Sequence, residues 1–574
     1  MLASIPVILL LSALQEPSSV PGAYRGPEDE TLLQFVSHGG DVAPGQLLNP
    51  LTGGWDRWEF WFEHERDLLF RGEPDFPARA VNDKGSYGAE DWSMDRQDLI
   101  LTSIPLLIDA LDSEIPAIRE AAALSLGRIG YASADFFLQR ATRDRVESVR
   151  QAAYMGLGLL ASEDGISFLV KTFEEESDPS TRAFAALGLG LSGRVEAGSA
   201  LKGYLNSAFY DSTWKREEDL ALATIVAAGV HGSKDFTPLL MNMLEVTSKK
   251  NGSDRLVSAT IQGLGALGDS RARPMLEGLL VSKQNGIPSA AAQALGRLGD
   301  RAAVNSLAEA YVDSHDARLR SLCLLAMGRL GGRQADAKLK ELRPEQKEEA
   351  AIHSAWALAA GMSRLDGSYP QLVSTLLYGT DNREHDEDDA PRRDEEILRG
   401  AAAMGLGLYG APGAKTQLAI CLNAKGADPS FRGYLAMGLG MLGTHPADEL
   451  LLELVKESPK QVQTRRGIAA GLGLSNSERT SVALVGMLIS DADDSVRWTA
   501  ARGLATSRSS AALRSLSERL RAELDRDQHD SQTAHLVLGL GFLGDAHDGA
   551  TISSMLAGMD FRQEGRLLKA LRNY

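Results

Sequence analysis

The sequence predicts an all-α chain wound as a right-handed α–α superhelix, a solenoid of about fourteen two-helix repeats. Three observations carry this. Thirteen times a short apolar helix ends in a near-copy of Leu-Gly-x-x-Gly, as in Leu126-Gly127-Arg128-Ile129-Gly130 and Leu439-Gly440-Met441-Leu442-Gly443. Registered on the small residue after the leucine, the copies stand at Gly127, Gly158, Gly190, Gly229, Gly265, Gly296, Gly328, Ala359, Gly407, Gly440, Gly473, Ala505 and Gly541, mostly 31 to 36 residues apart. A fixed period near 32 means that each unit buries its apolar face only against its neighbours.

The N-terminus comes first. In residues 1–15 (MLASIPVILLLSALQ) the run Ile5 to Leu14 is apolar, too short to span a bilayer and of signal-peptide length, so export to a periplasmic or extracellular space is expected. No Lys or Arg precedes the run, and the alternative is an apolar tail on a cytoplasmic protein. Residues 16–52, rich in Pro, Gly, Ser and acidic residues, read as a flexible linker. Residues 53–97 change character: Trp55, Trp58, Trp61 and Phe62 form one helical stripe, and four of the seven tryptophans lie between 55 and 92. The end of a solenoid has an apolar face with no neighbour, so this aromatic segment reads as an N-terminal cap. The alternative is a docking segment for a partner.

Residues 98–574 are the array. The first helix of each unit is amphipathic, with Ile104, Leu107, Ile108 and Leu111 on one face. In the second helix the leucine column is flanked on both sides by small residues, the registering position and the one two before it. Glycine inside a helix costs about 1 kcal/mol relative to alanine. Its recurrence in these columns is therefore a packing requirement between successive second helices, and the leucine side faces the first helix. The closing glycine (130, 193, 232, 268, 299, 331, 410, 443, 544) fits a left-handed C-terminal residue. Eight residues before the register stand Arg119, Arg150, Arg182, Arg320, Arg399, Arg432, Arg465 and Arg497, and four residues earlier stand Asp178, Asp316, Glu395, Asp428 and Asp493. The acids suit helix N-caps and the arginines a ladder between repeats; the alternative is a stripe for an anionic ligand. Cys323 and Cys421 read as buried small hydrophobes. An acidic insertion at 380–396 lengthens one loop, and a smaller one near 208–219 brings Tyr210 and Trp214 to the rim of a surface.

This pattern resembles the HEAT-repeat superfamily, closest to the short bacterial phycocyanobilin (PBS) lyase-type HEAT-like repeats, over about 98–574. The resemblance implies a solenoid of armadillo type. It also implies three possible trades: bilin lyases, an iron-dependent deoxyhypusine hydroxylase, and interaction scaffolds. The hydroxylase branch binds iron through His-Glu pairs on several repeats. Here the one such dipeptide, His64-Glu65, precedes the array, while His353 and His535 share a wheel position in distant repeats. No motif supports the enzyme reading, so no catalytic, cofactor or metal-binding residue is expected. A net charge of −17 and a pI near 5.2 argue against nucleic acid, because phosphates are neutralised by Lys and Arg.

The remaining wheel face, three and seven residues before the register and one after, varies freely. It is apolar with interspersed arginine: Met155, Arg297, Arg329, Trp356, Met404, Met437, Met441, Trp498 and Arg502. An exposed apolar stripe marks an interaction site, and Met with Trp suits an adaptable peptide groove. The expectation is a non-catalytic scaffold that binds a protein or peptide on its concave face. The alternatives are that curvature hides this face or that the N-terminal segment lies across it.

Overall fold

The computed structural model describes residues 94–545, apart from 211–212, 250–253, 285, 346, 378–392, 425–426, 476, 508 and 527–531. The expected signal peptide, linker and aromatic segment to residue 93, most of the acidic insertion and the expected fourteenth unit lie outside the described residues.

Among the described residues the chain folds as thirteen helical hairpins. They are α1–α2 (Arg96–Leu111, Pro116–Ile129), α3–α4 (Asp135–Ala141, Glu147–Leu160), α5–α6 (Glu163–Glu175, Pro179–Ser192), α7–α8 (Val195–Tyr210, Glu218–His231), α9–α10 (Thr237–Lys249, Asp254–Ala266), α11–α12 (Arg273–Leu279, Ile287–Leu298) and α13–α14 (Val304–Asp313, Ala317–Leu330). They continue as α15–α16 (Gly332–Glu341, Ala350–Met362), α17–α18 (Tyr369–Leu377, Arg393–Tyr409), α19–α20 (Ala414–Leu422, Pro429–Leu442), α21–α22 (His445–Glu457, Val462–Ser475), α23–α24 (Glu478–Ser490, Asp494–Gly503) and α25–α26 (Ser510–Leu524, Thr533–Leu543). Arg393–Glu396, expected as loop, is the first turn of α18, and α1 begins at Arg96 rather than Asp98.

Local chemistry explains the boundaries. Helix α20 starts where the Asp428 side chain accepts from the backbone N–H groups of Ser430 and Phe431, with Pro429 in its first turn, and it stops at Gly443, φ 56°. Asp178, Asp316 and Asp493 cap their helices in the same way; Glu395 lies within the first turn of α18 rather than before it. The closing glycines take positive φ except Gly544, at φ −92°.

The odd-numbered helices are amphipathic: α5 buries Gly165, Ile166, Leu169 and Phe173 at three- and four-residue steps. The even-numbered helices are buried nearly all round, as in α8, where every residue from Leu220 to Val230 is enclosed. Each even helix packs on the next through the two small columns. A β-carbon on Gly127 would stand 2.6 Å from Gly156 Cα, one on Gly158 2.5 Å from Gly188 Cα, and one on Gly190 2.6 Å from Ala227 Cα. In each pair the registering residue meets the residue two before the next register.

The same rule corrects the eighth unit. Gly328 meets Ala359, 2.5 Å from its Cα to the position of a glycine β-carbon, and Gly361 meets Gly405, 2.7 Å away. Ala359 therefore occupies the column two before the register, and Gly361 is the registering residue. His353 moves with it into the arginine column, where its Nε2 lies 2.9 Å from Glu345 O.

The arginine column is a structural ladder. Arg119 reaches forward to Asp144 at 2.8 Å and back to Ser113 O at 2.8 Å. Arg320 pairs with Glu348 at 2.6 Å and Arg465 with Asp491 at 2.7 Å, each carboxylate belonging to the next hairpin's loop. Cys323 and Cys421 are both buried and unpaired as disulfides, and burial pushes both thiols up from their ordinary range.

One feature has no counterpart in the expectation: the array closes. Helix α26 packs on α2, and α25 on α1. A β-carbon on Gly541 would lie 2.7 Å from Ser125 Cα, so the last described register meets the first hairpin by the rule that joins all the others. The Ser125 hydroxyl donates to Val537 O at 2.9 Å, Arg96 donates to the carbonyls of Gly544 and Ile129, and the Arg128 guanidinium sits 4.0 Å above the Phe542 ring. The solenoid is a ring, with even helices inside and odd helices outside. The end face that would call for a cap is covered by α26.

Candidate binding surface on the inner face of the ring

In the inner helices the two small columns point at the neighbours and the leucine column at the outer helix. What is left, three and seven residues before the register and one after, is the inner face. Met155, Met404, Met437 and Met441 lie on it and are buried, as is Arg297, whose Nη1 donates to Gln262 Oε1 at 3.0 Å. Arg329, Trp498 and Arg502 lie on it half-buried, and Trp498 packs edge-on against Phe542 at 5.7 Å. The expected exposed stripe is therefore corrected: none of the nine named residues is exposed.

Trp356 is not on this face. With Gly361 as register it stands in the column that faces outward, and its Nε1–H donates to Leu339 O of the outer helix α15 at 2.9 Å. Trp214, expected at a rim, is also buried, stacked on Phe209 at 5.5 Å, while Tyr210 is exposed.

The inner columns hold residues that the sequence reading passed over. Gln262 bridges α10 and α12, donating to Ala290 O at 3.1 Å while accepting from Arg297. Gln293, Arg297, Leu325 and Arg329 line a small recess between α12 and α14. Arg128 and Arg466 belong to the same columns and were findable there, as one residue after and seven before their registers. In these three columns, among the described residues, five arginines (128, 297, 329, 466, 502) face one carboxylate, Glu120. Each of the five is engaged in a polar or ring contact. Among the described residues the inner face is thus cationic, with apolar and neutral polar residues between the arginines, in a chain whose net charge is −17.

Comparison with known proteins agrees with the repeat geometry. The family model for HEAT repeats matches residues 74–154 and 134–213, and that for the PBS lyase HEAT-like repeat matches 287–313. The repeats are HEAT-like. No curated protein matches the chain in sequence. Among solved structures, human deoxyhypusine hydroxylase is 17% identical, with 50% of this chain and 98% of that one covered and a TM-score of 0.21. The CpcE–CpcF complex of phycocyanin lyase from Nostoc sp. PCC7120 is 21% identical, with 44% and 96% covered and a TM-score of 0.30. A Kap121p mutant is 12% identical, with 83% and 56% covered and a TM-score of 0.33. Scores this low place no function on the chain. Among the described residues no group of three or more His, Cys, Asp or Glu side chains is arranged to hold a metal ion, and no helix is long and apolar enough to cross a membrane.

Proposed function

We propose that the protein is a non-catalytic binding scaffold whose inner face holds an acidic, aromatic-rich protein segment. The observation that carries this is the charge inversion: five arginines and one glutamate on a face whose other residues are apolar or neutral polar, within a strongly acidic chain. Guanidinium groups bind carboxylates by charge-assisted, often bidentate bonds and stack on aromatic rings, so one surface of this kind selects for both features in a partner. Trp498 adds a buried indole N–H that makes no hydrogen bond among the described residues, a donor for a carbonyl or carboxylate. Export through residues 1–15 is part of the proposal and would place the ring outside the cytoplasm.

The test uses the full chain and its Arg297→Glu, Arg329→Glu double variant as baits in native extract. The expected result is that partners of the wild type are acidic, and that the variant holds them at least about ten-fold more weakly, which is about 1.4 kcal/mol. Equal recovery by both baits would overturn the proposal. Stoichiometric iron or bilin in the purified protein would move the reading to an enzyme.

A further inference from the structure

We propose that an outer cleft between α5 and α7 binds a basic side chain, lysine or arginine, of an extended partner segment. The site is built on outer helices and is independent of the inner face.

The cleft has a volume of about 620 Å³, within the range of about 300–1,000 Å³ found for ligand pockets. Its floor is aromatic: the buried Phe173 of α5 meets Tyr204 of α7 edge-on at 5.5 Å. On α7 its lining includes three small residues, Ser199, Ala200 and Gly203, and a β-carbon on Gly203 would meet nothing within 4 Å. The space is thus left open by the sequence. Three charged groups line it: Arg182, Glu174 and Glu196. Arg182 is committed to the fold. Its Nε donates to Phe173 O at 2.9 Å, its Nη1 stands 3.6 Å from Glu217 Oε2, and its guanidinium lies 6.0 and 5.6 Å from the Phe173 and Tyr204 ring centres. Glu174 of α5 and Glu196 of α7 come from the two helices that flank the cleft, and they form no hydrogen bond or ion pair among the described residues.

Other outer junctions show what such carboxylates take. Arg140 with Asp112 at 2.7 Å, Lys202 with Asp235 at 3.1 Å and Arg273 with Asp300 at 2.9 Å each join an outer helix to the neighbouring unit. In the cleft between α5 and α7 the chain supplies two carboxylates, and its one cation is already answered by Glu217. Like charges around a shared gap repel, and a guest cation replaces that repulsion by two attractions. Lysine and arginine suit the rest of the cleft, because the methylene stem lies on apolar surface while the charged head stays with the carboxylates. A net charge of −17 draws a basic partner in. Tyr210 makes that partner a polypeptide rather than a free amine. It stands seven residues on from Gly203, hence on the same face of α7, and is 94% exposed. The two positions lie about 10 Å apart along the helix, the reach of about three extended residues. The matching segment therefore carries a basic residue and, three positions away, an apolar one that covers the Tyr210 ring.

The probe is a fluorescein-labelled glycine–serine peptide with one arginine and, three positions on, one leucine. Its binding to the full chain is read by fluorescence anisotropy at low ionic strength. Glu174→Gln with Glu196→Gln should weaken binding at least about ten-fold. Glu309→Gln with Glu453→Gln removes the same charge from exposed positions on other outer helices and should leave binding unchanged. Gly203→Leu should abolish binding by filling the cleft, with the Tm unchanged or higher, since leucine is the better helix former. Unchanged affinity in the Glu174→Gln, Glu196→Gln variant or in Gly203→Leu overturns the proposal. Equal weakening in the two double variants overturns it too, as does a wild type that fails to bind. Competition separates the sources of the cation. If 1,5-diaminopentane displaces the probe at concentrations no higher than the unlabelled peptide needs, the cleft is a free-amine site and the polypeptide partner is refuted. The Arg297→Glu, Arg329→Glu variant should bind this peptide as the wild type does, so the cleft and the inner face stand or fall separately.

Discussion

Two junctions of the ring use one contact for different ends. Between α20 and α22, Gly440 packs 2.7 Å (glycine β-position to Cα) from Gly471, and no side chain intervenes at the crossing. Between α26 and α2 the geometry repeats with Gly541 against Ser125, but polar contacts are added: Ser125 to Val537 O, Arg96 to Gly544 O and Arg128 over Phe542. The first junction joins helices separated by one hairpin, and the chain itself keeps them close. The second joins helices about 400 residues apart, and only contacts hold them. Closing a loop that long costs more entropy, although the cost rises only logarithmically with length. The seam meets it with several side-chain contacts together, where the α20–α22 junction carries the bond from Thr464 Oγ1 to Pro429 O at 2.9 Å. Ser125 is the one serine in a column otherwise filled by glycine and alanine, and its hydroxyl meets the carbonyl that the corresponding glycine elsewhere merely approaches.

The largest expected effect tests the register on which this comparison stands. Trp356→Ala removes a buried indole and its bond to Leu339 O, so stability should fall by about 3–5 kcal/mol, read by denaturant unfolding. Partner recovery per folded molecule should not change. If stability holds and binding drops instead, Trp356 faces inward and Ala359 is the register after all.

Much of this was legible in the sequence. The hairpins, the small columns, the caps and the arginine ladder all follow from local rules repeated in register, and repetition lets one unit vouch for the next. Closure was not legible, because it depends on a small, constant rotation per repeat that no residue type encodes by itself. Its local trace was Ser125, a single departure in a column of glycine and alanine. The exposure of the inner face was misjudged because a wheel shows which side a residue takes, but not whether that side opens to solvent. Trp356 was misplaced because Leu358-Ala359 imitates the Leu-Gly pair two residues before Gly361, whose own preceding residue is Ala360.

A matched pair of substitutions separates the two junctions. In Gly471→Leu the new β-carbon would stand 2.8 Å from the Ala436 carbonyl carbon, and backbone cannot yield as a side chain can; the loss should be about 3 kcal/mol with a lower Tm. Gly541→Leu brings a clash of another kind to the seam, its β-carbon 2.5 Å from Ser125 Cβ and 2.7 Å from Ser125 Cα. There α26 can swing away from α2, so the expected outcome is an opened ring: a larger radius of gyration in X-ray scattering, and a stability loss nearer 1 kcal/mol. Equal Tm losses with an unchanged radius would show that the seam is as fixed as the interior. Ser125→Ala is milder, about 1 kcal/mol for one buried hydrogen bond, and should appear as faster amide exchange in α26 and α2 only. Uniform acceleration around the ring would mean that the seam has no local identity.

The smallest effect concerns a junction tuned by charge. Glu396, in the first turn of α18, has its carboxyl pushed up to about 7 by burial and by Asp428, the cap of α20. In the unfolded chain it ionises near 4.5. Below pH 4.5 both states hold the proton, and this group's stabilisation of the fold is complete. Between 4.5 and 7 the unfolded chain releases its proton while the folded chain keeps it, so stability falls as pH rises; above 7 the loss is constant. The carboxyl is only half-buried, and screening by water holds the effect to about 1 kcal/mol. Glu396→Gln removes the titration. The Tm of the variant minus that of the wild type should therefore grow from pH 4.5 to 7 and then level. A difference that stays flat across this range would separate Glu396 from Asp428 and leave no charge coupling at the α18–α20 junction. At the seam, where the added donors are a neutral hydroxyl and guanidinium groups that stay protonated throughout, the corresponding difference for Ser125→Ala should not vary with pH over the same window.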